Sequence, residues 1–542
     1  MPKSWIKPNT AKILIAVFVL AASAFFLFFR LGHYALWDDE ADTALFAQSL
    51  WRTGDTFAML DHNLIAHTDG KELKDLRNRY LPPLQFYIAA PFTGLAPGSA
   101  LAARLPFAVC GFLSIVFVLF WLWRGREPVA MWLLMSGGIL GNVSFMLYSR
   151  QCRYFAPAIL LTVISAFLYV NRDGRKRTAA ALAVSLFLLF ASNYMSYAAA
   201  LACMLADYLV WGRKIRPFSY GQIIIFAGLQ VLLGGLLTRV YNPLGMSVWE
   251  NTSGNWLIGK ATLFLWNLRE LNSCELGVGV LIFMAPFLYR VTGDRRLLRG
   301  TMAIIIYVLT VSLCSPQPVS LLSVAFIRYL APLIPLCIFV AVLSIQTLTL
   351  RFKWLVVPLA LMVFGTNILH GGPLSGVDKK THFSAVIAKG RFRSTILDYV
   401  RELIAPPPSA YRAVSDWINQ NIREKESVVV LPTYSTYPLM FHAPKAIYVW
   451  QLKEKSGQFS ELPDIHFRGK IPPEYVIAFG PFIDQARQAF TELEARGVHY
   501  RQLRRIDRYW YDLTRPELFW HSFREVKEFS RDNEAIYIFK KV

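Results

Sequence analysis

The feature that most constrains this chain is the recurrence of apolar stretches long enough, or nearly long enough, to cross a bilayer. They lie near 13–30, 99–123, 128–147, 154–170, 179–192, 197–211, 222–240, 276–290, 301–314, 328–346 and 354–370, eleven in 542 residues. The fifth, sixth and ninth are short. With 55% hydrophobic and only 17% charged residues, the chain lacks the charge that a soluble surface needs. A polytopic α-helical membrane protein follows. The first run is too long for the core of a cleaved signal peptide. It is followed by Arg30-Leu31-Gly32-His33 rather than a small-residue cleavage site, so it reads as a retained first helix.

The gaps between runs set the orientation. With the N-terminus inside, the inside segments hold eighteen Lys and Arg against three acids, Glu127, Asp173 and Asp294. The short outside gaps near 192–196 and 315–327 hold no Lys or Arg. This is the positive-inside pattern, and an odd number of spans puts the C-terminal region outside. The net charge of +21 is therefore a topology signal, and it suits anionic lipid headgroups. It is not gathered on one soluble domain, so nucleic acid is not an expected partner. The six cysteines form no CxxC pair and support neither a zinc site nor a disulfide framework, although Cys274 and Cys314 could both lie outside.

Two domains are expected: a transmembrane domain over 1–370 and an extracytoplasmic α/β domain over 371–542. The first outside loop, about 31–98, carries Trp37-Asp38-Asp39-Glu40. Its Thr43–Trp51 stretch has helical apolar spacing and reads as a segment lying along the membrane surface. A second outside loop, about 241–275, holds Trp249, Glu250, Trp256 and Glu270. The C-terminal domain begins after Gly371-Gly372-Pro373, with helix patterns at Ala410–Ile422 and Asp484–Arg496. Its strand patterns are Ser427–Leu431, Ala446–Trp450, Tyr475–Phe479 and Ala535–Phe539.

The residue pattern with most chemistry is Asp38-Asp39-Glu40. Crowded acids raise at least one pKa and suit a general base. Equally, acids at a helix start favour the helix dipole. Arg79, Arg150, Arg153 and Arg328 sit at the outer ends of spans, against the inside bias. An arginine fork binds phosphate bidentately, though a single arginine there also fits snorkelling to lipid phosphates. Four around one acidic loop suit a shared anionic ligand. His62 and His67, flanking Asp61 and Asp69, make metal ligation conceivable, but their spacing does not match a helical ligand pair. Tyr194 and Tyr197 read as interfacial aromatics.

Several of these segments resemble the bacterial membrane glycosyltransferases of the GT-C fold, in particular protein O-mannosyltransferases and lipid A aminoarabinose transferases. The resemblance rests on Leu36-Trp37-Asp38-Asp39-Glu40-Ala41, Leu50 to Gly54, Pro82-Pro83-Leu84, Arg104-Leu105-Pro106 and Arg328-Tyr329-Leu330-Ala331-Pro332-Leu333-Ile334-Pro335. It covers most of the membrane part, with motifs that are short and jointly specific. It implies a polyprenyl phosphate sugar donor, made on the cytoplasmic side and used outside. It also implies a catalytic Asp39 with Glu40 beside it, and Arg328 on the donor phosphate. Asp38, Tyr80 and Tyr329 become substrate-contact candidates. Aminoarabinose transferases carry a Lys directly before Pro-Pro; here that position is Leu81, with Arg79 two residues earlier as a substitute.

The expected function is transfer of a sugar from polyprenyl phosphate to a hydroxyl of a lipid, glycan or protein, with inversion, at the outer face of a bacterial cytoplasmic membrane. A good leaving group makes a metal unnecessary, and no cofactor is expected. A polysaccharide polymerase or ligase would place its main loop late in the chain. A transporter would place ionisable residues at the bilayer midplane in two related halves. Neither pattern appears.

Overall fold

The computed structural model describes residues 8–245, 256–274, 277–315, 324–371, 394–508 and 535–542. Trp249 and Glu250 of the second loop lie outside the described residues, as does the stretch 372–393 that follows the expected domain boundary. The side chain of Cys274 is also outside them, and with it the question of a bridge to Cys314.

Each of the eleven apolar runs contains a helix. In chain order the bundle comprises α1 (Pro8–Phe28), α2 (Asp38–Thr53), α3 (Leu84–Leu95), α4 (Ala100–Arg124), α5 (Val129–Gly141), α6 (Val143–Ser149) and α7 (Phe155–Val170). It continues with α8 (Lys176–Ser192), α9 (Tyr194–Asp207), α10 (Tyr220–Val240), α11 (Trp256–Cys274), α12 (Val278–Thr292), α13 (Arg295–Cys314), α14 (Ile334–Leu348) and α15 (Val356–Gly365). Among the described residues six helices are long and apolar enough to cross a membrane, and α5 with α6 makes a seventh bent by 64°. The bend falls at Asn142, whose side chain caps α6 by accepting the Phe145 N–H at 2.7 Å. Beside it, Gly141 lets the chain approach closely: a Cβ there would stand 2.7 Å from the Phe364 carbonyl.

Helix α11 occupies much of the expected outside loop of about 241–275. Lys260, Arg269 and Glu270 interrupt its apolar run, which hid it from a hydropathy reading. It packs against α13 and the 3₁₀ segment Val324–Leu333, burying Lys260 and Arg269. The Lys260 ammonium donates to the Ser315 carbonyl at 2.6 Å, and the Arg269 guanidinium lies 4.6 Å from the Trp266 ring centroid.

The C-terminal part is an α/β unit. Helices α16 (Thr395–Ile404), α17 (Ala410–Asn421), α18 (Thr436–His442) and α19 (Ile483–Glu494) accompany a five-stranded sheet. After two short hairpins in the first loop, β1–β2 (Met59–Leu60, Asn63–Leu64) and β3–β4 (Leu73–Lys74, Arg77–Asn78), the sheet strands are β5 (Ser427–Leu431), β6 (Ile447–Tyr448), β7 (Tyr475–Phe479), β8 (Tyr500–Ile506) and β9 (Ile536–Lys541). Their order is β6-β5-β7-β9-β8, with β6, β5 and β7 parallel and β9 and β8 antiparallel to their neighbours. The charged strand β8 was missed because its Arg-rich, exposed sequence has no apolar alternation.

One core fills the helical bundle. A second joins the first loop, α3 and the start of α4 to α17, α18 and one face of the sheet. The segment expected to lie along the membrane surface is part of this core. Helix α2 is buried from Asp39 to Leu50 between α3 and α18. Its apolar residues are packed within that core. It starts after Trp37, whose N–H donates to Glu40, and ends at Gly54 in the left-handed conformation.

Candidate active site

The first turn of α2 carries the three acids, and the fold sends them to different partners. Glu40 is fully buried. One carboxylate oxygen accepts Arg104 Nε at 2.8 Å and the Cys152 N–H at 2.7 Å. The other accepts Arg104 Nη2 at 2.5 Å. Arg104 also donates to the carbonyls of Leu31, Tyr34 and Ala35. A carboxylate so enclosed does not face a substrate. Glu40 ties α2 to α4, to the end of α1 and to the 150–153 turn, and thereby fixes where Asp39 points.

Asp39 is turned the other way. Its Oδ2 accepts Arg328 Nη1 at 2.8 Å and lies 3.4 Å from Arg153 Nη2. Arg328 donates as well to the Tyr329 hydroxyl at 3.3 Å. Arg153 donates to Thr43 Oγ1 at 2.9 Å and stands 3.9 Å from Asp42. Asp38 accepts the Asp39 N–H at 2.9 Å and is half-exposed. Of the residues singled out in the sequence, Asp38, Asp39, His67, Arg153, Arg328 and Tyr329 thus form one cluster at the end of the bundle where α1 stops.

The others lie apart from it. Arg79 makes a bidentate pair with Asp55 at 2.6 and 2.8 Å, which holds the Asp55 carboxyl below its ordinary pKa. Tyr80 lies against Gly245. Arg150 caps the last turn of α1, donating to the Phe26 and Phe29 carbonyls at 2.7 and 3.0 Å, and faces a separate crevice lined by Arg30, Tyr34, Tyr399 and Glu402. His62 contacts the Ala446 carbonyl, Asp61 pairs with Arg52, and Asp69 pairs with Arg468 and Lys453.

Behind Arg153 lies a second tier that sequence reading missed. Asp42 and Glu72 are both buried. Asp42 is pushed up to about 7, first by desolvation and then by repulsion from Glu72. Glu72 is also pushed up to about 7, by desolvation and by Asp39 against the pull of Arg153. His67 Nδ1 stands 4.0 Å from Glu72. The signal for Asp42 was present: it follows Asp39 by three positions and so shares its helix face. Glu72 had none, because only the two hairpins fold it back.

Asp38, Asp39 and His67 each bring one ligand-type atom within 4.8 Å of the others. A dication there would stand beside the Arg153 and Arg328 guanidinium groups, which already meet the Asp39 charge.

No family model matches the sequence. No curated protein matches it either. The likeness is to solved structures and lies in the fold. Two similar solved structures are those of ArnT from Cupriavidus metallidurans. The first, bound to undecaprenyl phosphate, has a TM-score of 0.56 at 12% identity over 97% of each chain. The second, in the apo state, has a TM-score of 0.55 at 12% identity over 97% of each chain. An oligosaccharyltransferase from Archaeoglobus fulgidus matches at a TM-score of 0.46 and 11% identity, over 88% of this chain and 70% of its own.

Proposed function

We propose that this chain is an integral membrane glycosyltransferase that moves a sugar from a polyprenyl phosphate, undecaprenyl phosphate in bacteria, to an acceptor hydroxyl. The observation that carries the reading is Asp39 held between Arg328 at 2.8 Å and Arg153 at 3.4 Å, at the mouth of a GT-C bundle. A sugar phosphodiester gains negative charge on its phosphate as the anomeric bond breaks. Two guanidinium groups at one point suit that developing charge. A carboxylate beside them suits the acceptor's proton. A single displacement inverts the anomeric carbon. ArnT, whose fold this chain shares, has been crystallised with undecaprenyl phosphate.

The same reading places eleven spans in a bacterial cytoplasmic membrane, with the N-terminus inside and the α/β unit of residues 371–542 outside. It requires no metal. The acceptor is a lipid, a glycan or a protein. The test is to purify the protein, supply a panel of radiolabelled undecaprenyl phosphate sugars with membrane lipid and glycan acceptors, and follow the label. Transfer from one member of the panel, lost in Asp39→Asn, is the expected result. No transfer from any member overturns the reading.

A further inference from the structure

We propose that His67, backed by the buried pair Glu72 and Asp42, carries the acceptor's proton away from Asp39 and stores it until the product leaves. This rests on the transfer reaction above and adds the path of its proton. In that reaction the acceptor oxygen bonds to the anomeric carbon and the anomeric C–O bond to phosphate breaks. Polyprenyl phosphate departs with the electron pair, and the acceptor's proton passes to Asp39. Asp39 is a poor place to keep it, because Arg328 and Arg153 both favour its charged form. Turnover therefore needs a second proton site within reach.

The geometry supplies one. The ligand-type atoms of His67, Asp38 and Asp39 lie within 4.8 Å of one another, and His67 Nδ1 is 4.0 Å from Glu72 Oε1. Such gaps are the span of one bridging water. The His67 side chain keeps 24% of its exposure, whereas Glu72 and Asp42 are buried, so the imidazole is the member facing the site. Asp42 Oδ1 has no hydrogen-bond partner among the described residues, leaving room for a shared proton. Asp38 and Asp39 face His67 from α2, Arg153 and Arg328 stand beyond them, and Tyr437 of α18 packs on its ring at 5.5 Å between centroids. Asp69 is taken by Arg468 and Lys453. Desolvation holds both buried acids at about 7, so either can accept and release a proton near neutrality. The proton goes from Asp39 to the imidazole, from the imidazole to Glu72, and back out through His67 once the product has gone. No bond other than O–H and N–H changes along this path.

The experiment has two arms. Infrared titration of the purified protein needs no substrate: the carbonyl stretch of a protonated carboxylic acid should disappear through neutral pH, and the loss should be absent in the double variant Asp42→Asn/Glu72→Gln. In the transfer assay with undecaprenyl phosphate sugars, His67→Asn and Glu72→Gln should lower kcat about tenfold, leave the donor KM unchanged and alter the pH profile and solvent deuterium isotope effect. A neutral-range carboxyl band that persists in the double variant overturns the proposal, as does a wild-type pH profile in His67→Asn. Activity abolished by a chelator and restored by manganese would make His67 a metal ligand and also overturn it. If the panel gives no transfer at all, the function proposed above fails, while the infrared arm still decides whether the buried pair holds a proton.

Discussion

The two ends of the helical bundle each bury an acid against arginine, and they do so differently. At the end opposite Asp39, Asp207 of α9 takes Arg299 in a bidentate pair at 2.6 and 2.8 Å and accepts the Tyr169 hydroxyl at 2.9 Å. Nearby, Arg172 donates to the carbonyls of Tyr169, Gly212 and Arg216. Charge and hydrogen bonding are matched there. At the Asp39 end the carboxylates of Asp39, Asp42 and Glu72 crowd around Arg153, two of them hover near neutrality, and one oxygen of Asp42 has no partner among the described residues. A matched pair stabilises a fold. An acid cluster left partly unmet is kept where chemistry needs it.

The comparison can be broken most directly at Asp39. Asp39→Asn keeps the shape and removes basicity, so sugar transfer should fall by about two to four orders of magnitude while thermal stability stays near wild type. A variant that transfers at the wild-type rate would remove the basis for calling this end functional. Arg328→Gln should reduce kcat/KM by about two orders of magnitude, because it withdraws a donor from the departing phosphate. The readout is the donor dependence of the same assay.

The opposite end should behave in reverse. Asp207→Asn should lower stability in detergent by about 2–4 kcal/mol, since it leaves Arg299 without its acid, yet leave transfer per folded molecule within a few-fold of wild type. Thermal unfolding measured alongside activity checks both halves. Loss of activity without loss of stability would erase the distinction between the two ends.

A subtler test lies at the seam between the helical and α/β parts. His442 accepts the Leu36 N–H at 3.0 Å and donates to the Gly98 carbonyl at 2.8 Å. Burial lowers it to about 4 from an ordinary 6.5. The folded protein thus favours neutral imidazole, and its contribution to stability is complete above about 6.5 and lost as pH falls toward 4. The thermal midpoint of the wild type should drop across that window, and His442→Gln should remove this part of the pH dependence. The smallest effect is expected from Arg79→Lys. It weakens a partly exposed pair with Asp55 by less than about 1 kcal/mol and should change transfer little, as measured in the same two assays.

Much of the helical architecture was legible because hydropathy is a local sum. Eleven apolar runs became helices, and the breaks between them fell close to where charge and glycine placed them. The strand patterns at Ser427–Leu431 and Tyr475–Phe479 were equally local and match β5 and β7. Helix α11 escaped because its charges dilute the apolar signal, and burial against α13 is what makes those charges tolerable.

The sequence by itself determined that acids and arginines stand at one end of a membrane bundle. It could not say which acid meets which arginine. Asp39 and Glu40 are neighbours in the chain, yet the helix turns successive side chains about 100° apart. One therefore meets Arg328, 289 residues away, and the other Arg104, 64 residues away. Arg79 and Arg150 carry the same signal as Arg153 and find Asp55 and the last turn of α1 instead. Pairing depends on directions and distances set only when distant segments pack. The close quarters of Asp42, Glu72 and His67 exist only because two short hairpins fold the first loop back beneath α18.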